Sequence, residues 1–344
     1  MAEADRQPED ESKPRPGDPP GPQPGPLPEE WRARAGKQAP WRRALPFVVA
    51  IGLLTFVIAR LDLVAFRAAL SRLQVAPFIA FTFAWVLVLL AADSVGSVAA
   101  YRVSAPSVRF AQFYLLRGAS YLPGLVNHHL GQGFLTYMTS RAFDVPLARV
   151  AGATLLSYAG WMGCLLGLAS VALPLSGKPA AFLLVPLGAG IVYLIILAVR
   201  PARLQRVGFL APLFEAGIRG HVIALVARIP HLAVLVLGTW LPFFFFGVEI
   251  PMGTALLLIP IVLVAVTLPL TPQGFGTRDA LCLTFFAQFA SGETESARAA
   301  QIAACTTTWG VTAALVTALV GLACTRYAAR LTSVTRSEVV TSVG

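Results

Sequence analysis

TPQGFGTRD, running from Thr271 to Asp279, lies between two uncharged apolar blocks, 262–270 and 280–290. Pro272, Gly274 and Gly276 prevent a regular helix there. Arg278 and Asp279 add charge where the flanks have none. Irregular backbone at membrane depth survives only where it is buried in protein or lines a cavity. The stretch therefore reads as the working end of a membrane-embedded helix pair.

The rest of the chain agrees with that setting. Of its 344 residues 56% are apolar and only 13% charged, and mean hydropathy is +0.70. Soluble domains carry about a quarter charged residues, so this chain has too little polar surface to cover a soluble core. Several apolar runs reach spanning length. The expected fold class is all-α: a polytopic transmembrane helical bundle of about eight spans with re-entrant or broken half-helices.

The formal net charge is +10, but residues 1–43 hold eight basic and eight acidic side chains and contribute none of it. The excess sits in the membrane part, mostly at segment ends, which is the positive-inside pattern and not a nucleic-acid footprint. No nucleic-acid partner is expected. Cys164, Cys282, Cys305 and Cys324 lie in or beside apolar segments without a CxxC pair, and they read as small core or lipid-facing residues. More than forty polar residues precede the first apolar run, which is unlike a signal peptide.

Three regions follow. Residues 1–43 form a tail, disordered while rich in Pro, Gly and acids, then basic and interfacial with Trp31 and Trp41. Residues 44–330 form the membrane domain, and 331–344 a flexible C-terminal tail. The predicted crossings are 44–60, 77–99, 151–173, 180–199, 231–248, 252–270, the short 279–291 and 299–325. Asp62 to Gln74 has the spacing of an amphipathic surface helix. Residues 200–230, with Arg200, Arg203, Arg206, Arg219 and Arg228 against Glu215 alone, read as a basic cytoplasmic loop whose apolar stretches suggest helices resting on or dipping into the membrane. Both termini then fall in the cytoplasm of a multi-pass plasma (inner) membrane protein. The loop with Arg67 and Arg72 falls outside, against the charge rule.

Asp93, two-thirds along the second span, is an embedded acid that needs a partner or a wet cavity. Arg102 and Arg117 are its candidate partners. From Phe110 to Arg141 the pattern is helix, break, polar cluster, helix, with Pro123 and Gly124 ending the first helix. This is what a re-entrant hairpin needs. His128 and His129 are adjacent but lack a third ligand at a useful spacing, so hydrogen bonding or headgroup contact is the expectation. No metal or cofactor is called for.

The two breaks share a chemistry. Each has a proline, a close glycine pair and a following helix whose first N–H groups are unpaired and electropositive. Such an end can hold a phosphate or carboxylate. The candidate headgroup- or anion-binding residues are Asn127, His128, Gly131, Gln132 and Gly133 on the first break. On the second they are Gly274, Gly276, Arg278 and Asp279. Asp93 and Arg117 are the embedded charges. The bland alternative for the second break is an Arg278–Asp279 pair that merely caps an interfacial helix.

LPLTPQGFGTRD, from Leu268 to Asp279, resembles the late signature of the lysylphosphatidylglycerol synthase transmembrane, or flippase-like, family. That signature has a proline, two close glycines, an arginine and an acid, usually Glu. Pro269 or Pro272, Gly274, Gly276, Arg278 and Asp279 fill it. Asn127 before Gly131-Gln132-Gly133 resembles the family's earlier Asn/Pro/Gly region, which usually continues Gly-Glu with an Arg nearby. Here Gln132 follows the glycine and the Arg has no clear counterpart. The family includes the membrane half of the multiple peptide resistance factor, which is thought to move aminoacylated phosphatidylglycerol between leaflets. There a separate soluble domain makes the lipid, and nothing here is long or polar enough to be one.

The resemblance implies a membrane protein that handles lipid or a lipid-linked precursor, as a flippase-like translocator of an anionic lipid. Its partners would be membrane lipids. The alternative is a non-transporting accessory protein for a cell-envelope lipid- or glycan-modifying enzyme. Embedded acids are too few and scattered for paired-carboxylate catalysis, so the chain is not expected to be an enzyme itself.

Overall fold

A computed structural model describes residues 63–71, 73–175, 184–267 and 276–341. The predicted first crossing at 44–60, the tail at 1–43, Pro272 and Gly274 lie outside them. Every regular element among the described residues is a helix. In chain order they begin with α1 (Leu63–Ser71), α2 (Val75–Arg102), α3 (Phe110–Ala119), α4 (Tyr121–Val126) and α5 (His128–Phe143). Next come α6 (Leu147–Leu175), α7 (Leu184–Val199), α8 (Ala202–Gln205), α9 (Ala211–Trp240) and α10 (Pro242–Phe245). The order closes with α11 (Met252–Thr267), α12 (Thr277–Phe286), a 3₁₀ turn (Ala287–Phe289) and α13 (Glu295–Thr341). The last helix runs past 330, where the membrane domain was expected to end.

Among the described residues, four stretches are long and apolar enough to cross a membrane: Val75–Arg102, Leu147–Ala172, Ala211–Phe245 and Glu295–Ala328. The 28 residues of the first rise about 42 Å, more than the ~30 Å hydrocarbon core needs. Leu187–Val199 and Met252–Thr267 are apolar but shorter. The ten residues of α12 are shorter still.

The largest difference from the sequence reading is at 200–230. Instead of a basic loop, α9 starts at Ala211 and carries Arg228 into the middle of a candidate span. The predicted 231–248 crossing is its second half. Pro230 sits inside this helix, and Gly217, at φ 53° and ψ −169°, marks a kink near its start.

Among the described residues the helices pack around two large apolar clusters and a small third one of Ala100, Leu156, Ala216 and Ala224. The first gathers Phe78, Phe243, Phe246, Phe286 and Trp309. Phe78 meets Phe245 and Phe246 edge-on at 5.4 and 5.8 Å, an arrangement aromatic quadrupoles favour. The 243–246 run thus divides its work: Phe243 and Phe246 are buried while Phe244 faces outward. The second cluster gathers Leu90, Tyr101, Phe113, Leu116 and Leu135. The expected amphipathic helix is α1, whose Phe66, Ala69 and Leu70 pack on the first cluster while Arg67 is exposed. All four cysteines are buried and unbridged.

Helix contacts are closest where glycine removes a side chain. A Cβ on Gly160 of α6 would lie 2.9 Å from the Ala224 backbone of α9. Gly163 and Gly167, a GxxxG spacing on α6, differ: a Cβ on Gly163 would lie 3.4 Å from Leu225, and one on Gly167 would meet nothing within 4 Å. The outward faces are apolar instead of charged. On α13, Val311, Leu315, Leu319 and Leu322 form an exposed stripe at helical spacing. An apolar stripe left outward on a spanning-length helix is what lipid, not water, accommodates.

Candidate functional site

Asp93 is the point from which the site is built. It lies on α2 and its side chain is 4% exposed. Two guanidinium groups pair with it: Arg117 of α3 through Nε to Oδ2, and Arg228 of α9 through Nη1 to Oδ1. Of the two partners expected from sequence, Arg117 is the one that engages. Arg102 instead donates from Nε to the Val108 carbonyl at 3.0 Å. An isolated carboxylate could not remain ionised in this setting, and each guanidinium offsets part of its desolvation cost.

Arg228 is held through both of its Nη groups. Nη1 also approaches His231 Nδ1 at 3.1 Å, and Nη2 donates to Ser97 Oγ at 2.8 Å and to Ser157 Oγ. Because Nη1 is the donor there, His231 Nδ1 acts as acceptor and the imidazole is neutral. The Arg228 stem lies against Gly96, where a Cβ would be 2.9 Å from Cδ.

Arg117 is less enclosed, with its side chain 13% exposed against 7% for Arg228. Its Cζ lies 5.7 Å from the centre of the Tyr121 ring, within cation–π range. Gln132 of α5, with its amide oxygen turned toward the guanidinium, accepts from Nη1 at 2.8 Å.

These groups border a cavity of about 70 Å³ between α2, α3, α5, α6 and α9. Tyr101 and Leu135 bring the second apolar cluster to its wall, and Trp161 brings the first. Tyr158 of α6 and His128 of α5 complete one side, joined by a 2.6 Å hydrogen bond between Tyr158 Oη and His128 Nε2. His128 is exposed, so this pair stands at the outer edge of the cavity. Two arginines, one aspartate and a neutral His231 leave one positive charge in excess.

The first break has the expected form with a shifted turn. Pro123 and Gly124 do not end the helix, because Ser120 keeps helical angles and Pro123 falls in the first turn of α4, where no intrahelical N–H bond is lost. The chain turns instead at Asn127, at φ −157° and ψ 128°. Its Oδ1 accepts from His129 N at 2.8 Å and caps α5. Gly131 lets the two arms close: a Cβ there would lie 2.8 Å from Gly124 Cα. A Cβ on Gly133 meets nothing within 4 Å. From this break, His128 and Gln132 reach the cavity, while Asn127, Gly131 and Gly133 are not among its lining residues.

Neither do Arg278 and Asp279 line it. Gly276, at φ 82°, starts α12, and its N–H donates to Asp279 Oδ2 at 3.0 Å. The electropositive helix end thus carries its own carboxylate. Arg278 Nη2 donates to the Thr306 carbonyl of α13 at 3.0 Å and lies 3.5 Å from Asp279 Oδ1. The pair ties α12 to α13.

Sequence reasoning singled out Asp93, Arg117, His128 and Gln132 but missed Arg228, His231, Ser97, Ser157, Tyr158 and Trp161. For Arg228 and His231 a signal existed: both flank Pro230 inside an apolar run. No family model, curated protein or solved structure matches this chain.

Proposed function

We propose that this chain is an integral membrane protein that handles an anionic lipid or lipid-linked precursor, as a flippase-like translocator whose headgroup path runs through the Asp93–Arg117–Arg228 cavity. One observation carries the reading: a small polar cavity with an excess positive charge, walled by helices of a chain that is otherwise apolar. Embedded ionisable residues are costly and mark pathways. A phosphate leaving the interface loses its hydration, and preset guanidinium donors replace part of it. The resemblance of 268–279 to the lysylphosphatidylglycerol synthase transmembrane family supports lipid handling in general, without fixing the headgroup charge. Eight crossings and cytoplasmic termini in the plasma membrane belong to this reading. Asp93, the one embedded acid of the cavity, is already paired twice, which favours facilitated movement over proton-coupled pumping.

The test is purified protein in liposomes carrying tail-labelled anionic lipid with an external quencher. Wild-type protein should expose inner-leaflet label well above empty liposomes, and Arg117→Ala should lower that rate at least about tenfold, the equivalent of ~1.4 kcal/mol. A wild-type rate equal to that of empty liposomes, across several anionic lipids, overturns the proposal.

A further inference from the structure

We infer that the cavity selects a compact phosphate ester bearing no cationic group, and discriminates against headgroups that carry an amine. This rests on the lipid-handling reading above and narrows its substrate class. Three features of the cavity carry it.

The first is a shortage of acceptors. Asp93 is the single carboxylate on the wall, and its charge is already matched by two guanidiniums, Arg117 at Oδ2 and Arg228 at Oδ1. Ser97 and Ser157 accept from Arg228. The Gln132 oxygen accepts from Arg117. An ammonium group would find no carboxylate to neutralise it and would face two guanidiniums.

The second is a surplus of donors. Two polar side-chain atoms of the lining are buried without a hydrogen-bond partner, Trp161 Nε1 and Arg228 Nε. Both are N–H groups that can only donate. Arg228 Nε lies against Gly96 and Trp161 Nε1 has no accessible surface, so the Nη hydrogens of the more exposed Arg117 that Gln132 does not take are the ones left to meet an incoming oxygen. Each would gain by meeting an acceptor, because an unsatisfied buried donor is costly.

The third is size. At about 70 Å³ the space takes a few waters or a group the size of one phosphate. Tyr158 and Trp161 stand edge to face at 6.2 Å, with Arg117 on the same wall to repel a quaternary ammonium held against them.

The experiment compares tail-labelled phosphatidylglycerol, phosphatidylethanolamine and lysylphosphatidylglycerol in the same proteoliposomes. Phosphatidylglycerol should move at least about tenfold faster than either amine-bearing lipid. Gln132→Glu, a near-isosteric change that places a carboxylate against Arg117 and cancels the excess charge, should narrow that preference to less than threefold without loss of folded protein. Equal wild-type rates for all three lipids overturn the selectivity while leaving the translocator reading intact. If no lipid moves, the translocator reading falls, and a binding arm still decides the site. The melting temperature of the purified protein is then measured with inorganic phosphate, glycerol phosphate and phosphoethanolamine. A rise with the first two and not the third supports a phosphate site fed by soluble anions. No rise with any, or an equal rise with all three, overturns it.

Discussion

Asp93 joins three helices through one carboxylate. Removing it leaves Arg117 and Arg228 facing each other without a counter-charge, so Asp93→Ala should destabilise the protein by about 3–5 kcal/mol. Unfolding in mixed micelles would measure this, and adding Arg228→Met should recover part of the loss. Asp279 should behave differently. It caps α12 and touches no cavity atom, so Asp279→Ala should cost about 0.5–2 kcal/mol and leave phosphatidylglycerol movement unchanged. A large transport defect in a folded Asp279→Ala protein would return that residue to the headgroup path. The contrast explains what was legible. Asp93 and Arg117 stand out because a charge in an apolar run has a high cost and needs a reason. Arg228 did not, because four other arginines between 200 and 219 made it look like the end of a cytoplasmic loop. Ser97 and Ser157 carry no signal in sequence at all, since a buried hydroxyl is ordinary until its partner is known.

At the scale of elements, the hairpin of α4 and α5 sets the position of Gln132 and His128. Its turn depends on the Asn127 cap and on the glycine contact between the arms. Asn127→Ala should cost about 0.5–2 kcal/mol, and Asn127→Asp, which keeps the acceptor, should retain most of the stability. Hydrogen exchange across 121–133 would report the difference, with faster exchange expected in the alanine variant alone. The sequence pattern of helix, break and helix was readable, but the turn was misplaced by a few residues. Proline was taken as a stop when it occupies a first turn, where it removes no bond. The length of α9 was hidden by the arginines of 200–230, which read as a loop, although the helix runs on through Pro230.

At the scale of the whole molecule, the outward apolar stripes predict where lipid lies. A spin label at Leu319→Cys should be accessible to oxygen and shielded from a water-soluble nickel complex, because Leu319 is exposed on a spanning-length helix. The buried native thiols keep the background low. Greater access to the nickel complex would place that face in water and contradict the assignment. Membrane character and helical class follow directly from hydropathy and run length. The number of crossings does not, because hydropathy alone does not decide whether a 16-residue apolar helix such as α11 spans the bilayer.

The double pairing of Asp93 also bears on how the chain is made. Arg117 follows Asp93 by 24 residues, whereas Arg228 follows it by 135. At about 5–20 residues per second, the second guanidinium leaves the ribosome roughly 5 to 20 s after the first. Through that interval Arg117 is the nearer counter-charge for an acid already bound for the bilayer. Pairing with Asp93 in that interval would draw the α3 segment against α2 before α9 has been synthesised. The order of residues along the chain thus doubles as a timetable for assembly, in which the hairpin side of the cavity is laid down first and α9 closes it.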